Sequence, residues 1–87
     1  MNNKTESKNT DGSVWRTEYR NDAGKFHKED GPAVEYSFVK QYWINGNLHR
    51  LDGPAVEYRN KFVEYWIHGR RYSLEEWERV RKLYILL

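Results

Sequence analysis

Two short runs hold the residues best equipped for chemistry. His49-Arg50-Leu51-Asp52 sets an imidazole, a guanidinium and a carboxylate within four positions, and His27-Lys28-Glu29-Asp30 repeats the set in register. A His and an Asp three residues apart could run acid–base catalysis or hold a metal. Two features argue against that use. No nucleophile or gathered carboxylate cluster accompanies them. The set is also duplicated, and a reaction needs its residues once whereas a structural corner recurs in every unit. An Asp before Gly-Pro bonds its own turn, and the basic residue can pair with that Asp or with a Glu on the adjacent strand. The structural reading is preferred: Asp30, Gly31, Pro32, His49, Arg50, Asp52, Gly53 and Pro54 are repeat corners, with no catalytic residue, metal or cofactor assigned. Glu35 and Glu57 also recur in register, and a carboxylate pair can mark a glycosidase. Cross-strand pairing with Lys40, Arg50 or Lys61 is their plainer role. There is no Gly-rich phosphate loop, His-x₃-His pair or Ser elbow.

The elements that must carry these residues follow from the duplication. Residues 26–36 and 48–58 share His, a basic residue and then Asp-Gly-Pro-Ala-Val-Glu-Tyr, 22 residues apart. A glycine turn precedes each copy, Asp22-Ala23-Gly24 and Asn45-Gly46, and His68-Gly69 follows at a spacing of 23. Tyr42-Trp43-Ile44 and Tyr65-Trp66-Ile67 lead into the last two turns. A period of this length signals a repeat architecture. Asn45-Gly46 predicts a type I′ hairpin, whose two central residues need positive φ. Proline lacks an N–H, so Pro32 and Pro54 mark strand entrances. Strands are expected from residue 14, at 25–28, 33–38, 39–44, 47–50, 55–59 and 62–67: an antiparallel meander of six to eight short strands over 14–72. The period then changes. Ser73-Leu74-Glu75-Glu76 has the form of a capping box, and Leu74, Trp77, Val80 and Tyr84 recur at helical spacing, predicting a helix over 74–86. The fold class is therefore α+β, a meander of tandem hairpin repeats with one C-terminal helix as its cap. Residues 1–12 are polar and aperiodic and read as a loose tail, leaving 13–87 as a single domain.

The composition fits a small aromatic-rich protein. Of 87 residues, 38% are hydrophobic and 16% aromatic, with four Trp, seven Tyr and three Phe standing in for aliphatics. Without cysteine there is no disulfide and no Cys-type zinc site. A net charge of +2 excludes an acidic mimic of nucleic acid and is too weak to argue DNA binding without a local patch. No stretch has the length of a membrane span and the N-terminus has no signal-peptide h-region, so a cytoplasmic protein without membrane contact is expected.

The unit Trp43-Ile44-Asn45-Gly46-Asn47-Leu48-His49-Arg50-Leu51-Asp52-Gly53-Pro54-Ala55 resembles the W-x-x-N-G-x-x-H-R-x-D-G-P-A repeats of small bacteriophage and bacterial proteins, here with one residue between Trp43 and Asn45. It is also loosely similar to MORN-type hairpin repeats. The first unit departs with Lys28 for Arg and an inserted Ala23, and the last loses the His-Arg-x-Asp-Gly-Pro half. The resemblance implies a β-hairpin array in a phage protein and carries no catalytic site.

Three functions are then weighed. The first is a non-enzymatic phage protein that engages a host protein or ribonucleoprotein complex and inhibits or redirects it, as in host takeover or counter-defence such as anti-CRISPR activity. Its binding surface would be Tyr42, Trp43, Tyr65 and Trp66, edged by arginine, although an aromatic stripe on a sheet is more often core than a ligand platform. The second is a nucleic-acid-binding protein using Arg70, Arg71, Arg79, Arg81 and Lys82, although pairs such as Glu75–Arg79 and Glu78–Lys82 would absorb much of that charge. The third and weakest is a hydrolase using His49 and Asp52. Open sheet edges also offer a homodimer contact.

Overall fold

A computed structural model describes residues 3–86. It is α+β: a seven-stranded antiparallel sheet, a two-stranded sheet and one C-terminal helix. The strands are β1 (Asn3–Lys8), β2 (Val14–Arg20), β3 (Val34–Tyr36), β4 (Val39–Gln41), β5 (Trp43–Ile44), β6 (Asn47–Leu48), β7 (Val56–Tyr58), β8 (Val63–Ile67) and β9 (Arg70–Tyr72), followed by α1 (Leu74–Ile85). The large sheet runs β1-β2-β3-β4-β7-β8-β9, and the β5–β6 hairpin is an excursion between β4 and β7. Each repeat therefore contributes a strand pair to the sheet; the Asn45-Gly46 hairpin lies beside it, whereas the His68-Gly69 turn joins two of its strands, β8 and β9. The turns take the backbone that the sequence demands: Asn45 and Gly46 lie at φ 48 and 82, His68 and Gly69 at φ 49 and 78.

The core is the repeat itself. Ala33, Val34, Ala55 and Val56, from the two Asp-Gly-Pro-Ala-Val segments, are buried with Val39, Ile67 and Trp77. With so few buried side chains the molecule is a plate, 45 × 32 × 17 Å. Its radius of gyration of 14.0 Å exceeds the roughly 12 Å of a compact chain this long. α1 starts at Ser73, whose side chain accepts from the Glu76 N–H while the Glu76 carboxylate accepts from the Ser73 N–H. These bonds hold the Glu76 carboxyl below its usual range. No helix among the described residues is long and apolar enough to cross a membrane.

Four expectations are corrected. Within the tail expected over 1–12, Asn3–Lys8 is a strand, paired with β2 from Asn3↔Arg20 to Lys8↔Val14; residues 1 and 2 lie outside the described residues. An edge strand needs only backbone partners, so its polar composition concealed it. Asp11 closes the turn, its carboxylate accepting from the Ser13 N–H at 2.9 Å and the Ser13 hydroxyl at 2.6 Å, with Gly12 at φ 89. The strand expected over 39–44 is split at Tyr42, whose N–H turns aside to donate to the Ala55 carbonyl at 2.7 Å. The strand expected at 25–28 is reduced to the single bridge Arg20↔Phe26. Finally, the chain after His68-Gly69 returns as β9, which pairs Tyr65↔Tyr72 and Trp66↔Arg71 and brings the strands among the described residues to nine.

Candidate functional site

The His-basic-x-Asp runs are seams between repeats. The His27 Nδ1 accepts from the Asn45 N–H, and the His49 Nδ1 accepts from the His68 N–H, both at 3.0 Å. The backbone N–H of His27 donates back to the Tyr19 carbonyl, as that of His49 does to Tyr42. Each imidazole thus ties its own unit to the turn of the next one, and an accepting Nδ1 leaves Nε2 with the proton. The basic partners lie over tyrosine rings, the Lys28 Nζ 4.0 Å above Tyr19 and the Arg50 guanidinium 3.9 Å above Tyr42. Arg50 also donates to Asp52 at 2.9 Å and to the Pro54 carbonyl at 3.1 Å, and its Nη1 lies 3.6 Å from Glu57. Asp52 is therefore held by Arg50 and the His49 Nδ1 by a backbone amide, so the two make no acid–base dyad. Both line a shallow depression of about 560 Å³ with Lys28, Asp30 and Tyr42. No group of three His, Asp or Glu side chains arranged for a metal occurs among the described residues.

The four residues expected as a binding surface are tied into the repeat packing. Trp43 packs on Phe26 at 5.3 Å between centroids and donates its indole N–H to Gln41, and Trp66 donates in the same way to Glu64 at 2.9 Å. The Tyr42 hydroxyl, bonded to Glu57 at 3.4 Å, has its pKa pushed up first by burial. Tyr65 lies under Trp77, 4.8 Å between centroids, so α1 covers the Tyr65–Ile67 side of β8. None of the four is exposed.

The C-terminal cations are engaged with different neighbours. Arg71 is paired across the ladder with Trp66, whereas Arg70 and Arg79 both lie near enough to Glu76 to lower its pKa further. Arg81 is half-buried, donating to the Leu51 carbonyl at 2.7 Å with its guanidinium 4.9 Å from the Trp77 ring. Lys82 is exposed on α1. Among the described residues the ion pair on α1 is Glu78–Arg81 at 3.8 Å, in place of Glu75–Arg79 and Glu78–Lys82.

A surface that sequence reasoning missed lies at the hairpin-turn end of the sheet. Trp15 at the start of β2 is 47% exposed, and Phe38 and Phe62, beside the β3–β4 and β7–β8 turns, are each 58% exposed. Trp15 and Phe38 line an open depression of about 650 Å³ together with Arg16, Lys40, Arg59 and Lys61. The Arg59 N–H donates to the Phe38 carbonyl at 2.9 Å, so cation and ring stand on adjacent turns. The available signal was position: a large aromatic in a turn such as Ser37-Phe38 has no neighbouring strand to cover it.

No protein-family model, curated protein or solved structure matches this chain.

Proposed function

We propose that this chain is a non-enzymatic binding protein that engages a host macromolecule through the turn end of its sheet. The observation that carries the reading is the set of large aromatic side chains exposed there: Trp15, Phe38 and Phe62. An exposed aromatic patch beside cations has the composition of a binding hot spot. The residues best equipped for catalysis, His49 and Asp52, are by contrast bonded to backbone and to Arg50. The resemblance to phage repeat proteins supports a phage protein acting on a host protein or ribonucleoprotein, with counter-defence as one such role. Binding of nucleic acid through the C-terminal cations has less support, because Arg70 and Arg79 lie beside the Glu76 carboxylate and Arg81 is half-buried on Leu51 and Trp77.

The test is affinity capture from a bacterial lysate, with and without nuclease, comparing the wild type with Trp15→Ala/Phe38→Ala. One macromolecule retained by the wild type and lost by the variant is expected, with unchanged circular dichroism and urea midpoint. Equal retention by both proteins would overturn the proposal.

A further inference from the structure

The turn-end surface joins two groups that a single ligand would have to satisfy together. One is aromatic: Trp15 has no ring partner among the described residues, and Phe38, which meets Tyr36 edge-on at 84° and 5.2 Å between centroids, is 58% exposed as a residue. The other is cationic. Of the charged residues lining the depression, Arg16 pairs with Glu18, Lys40 with Glu35, and Glu57 with Arg50. Arg59 and Lys61 are exposed and form neither an ion pair nor a cation–π contact among the described residues.

We propose that this end of the sheet is a binding site for single-stranded nucleic acid, with Trp15 and Phe38 stacking bases and Arg59 and Lys61 neutralising phosphates. The proposal rests on the binding-protein reading and names the ligand class of the same surface. Each nucleotide carries one planar ring and one negative charge, the same mixture of groups that the surface leaves unsatisfied. An acidic peptide would meet the cations but bring no planar partner for the indole. A duplex would meet the cations while keeping its bases stacked on one another. The depression is also open and shallow, as a groove tracking an extended strand must be, and stacking on exposed rings is tolerant of sequence.

The experiment is fluorescence anisotropy on the full chain with labelled twelve-nucleotide single-stranded DNA and RNA, the corresponding DNA duplex, and a poly-glutamate peptide. Single strands are expected to bind in preference to both the duplex and the peptide. With two phosphates neutralised, log affinity should fall against log salt with a slope of about −1.4. Arg59→Gln/Lys61→Gln should flatten that slope, and Trp15→Ala should weaken binding about tenfold. Equal binding of duplex or poly-glutamate, or an unchanged affinity in Trp15→Ala, would overturn the assignment. If no oligonucleotide binds while lysate capture still depends on Trp15 and Phe38, the nucleic-acid assignment falls and the binding-protein reading stands. If capture is also indifferent to both residues, the two fall together.

Discussion

Trp77 occupies over Tyr65 the seat that Arg50 occupies over Tyr42 and Lys28 over Tyr19. The indole lies 4.8 Å from the Tyr65 ring, and the two cations lie 3.9 and 4.0 Å above theirs. The third unit has lost its His-Arg-x-Asp-Gly-Pro half, and the helix supplies a substitute. The Trp77 indole N–H donates to the Arg50 carbonyl at 3.1 Å, and Arg81 donates to the next carbonyl, Leu51, at 2.7 Å. The array is thus closed by a side chain that reproduces a repeat contact, and its last layer is not left open.

Trp77→Ala should therefore uncap the array. Trp77 is 5% exposed, and truncating a buried Trp costs about 3 kcal/mol or more. Urea unfolding should show a loss of that size, and amides of α1 should exchange faster than those of β3 and β4. A loss below about 1 kcal/mol would mean that the indole is not the capping contact.

Gly53 is set by the same corner. A Cβ there would stand 2.8 Å from the Arg50 Cζ, whereas at Gly31 the nearest atom is the Lys28 Nζ at 3.6 Å. Arg50 is pinned by Asp52 and the Pro54 carbonyl, so it cannot yield without losing those bonds. Gly53→Ala should destabilise by about 1 kcal/mol and Gly31→Ala by less. In an Arg50→Ala background the Gly53→Ala penalty should vanish, a coupling that a double-mutant cycle measures.

Much of this corner was legible in the sequence. Repetition of Asp-Gly-Pro-Ala-Val-Glu-Tyr marked the corners and the strands after them, Asn45-Gly46 marked a hairpin, and Ser73 with Glu76 marked the start of the helix; that the Ala-Val pairs form the core appeared only in the fold. Which aromatics face solvent was not legible. Trp43 and Trp66 carry the residue type of a binding anchor, but their exposure depends on bonds to Gln41 and Glu64, two residues earlier on the chain, and for Trp43 on Phe26, which only the fold brings to it. Trp15 and Phe38 lie outside the repeated motif, so periodicity gave no reason to single them out.

β1 tests the opposite extreme, a strand without a core. All of its residues but Ser7 are exposed, and it contains no apolar side chain. Removing residues 1–9 should leave the urea midpoint within a few tenths of a molar of the full chain and preserve the far-ultraviolet spectrum. A cooperative loss of the sheet would show that the β1–β2 ladder is required for folding.

The last prediction concerns the ring ladder that joins the repeats to α1. The His49 ring lies 4.4 Å from that of His68, which lies 5.0 Å from Tyr84. Burial first, and then the neighbouring His68, lowers the His49 pKa. Lys28, Arg50 and Asp52 line the same depression as His49. A protonated Nδ1 could no longer accept from the His68 N–H. The unfolded chain takes up this proton near pH 6.5 and the folded chain only lower, so the contribution is complete above pH 6.5 and declines as pH falls through the folded pKa. The carboxyls of Asp11 and Glu76, whose pKa values are also lowered, act only in the acidic carboxylate range. His49→Gln keeps an acceptor but cannot titrate in this range, so its urea midpoint should fall less between pH 7.5 and 5 than that of the wild type. Parallel curves for the two proteins would show that His49 does not carry the pH dependence.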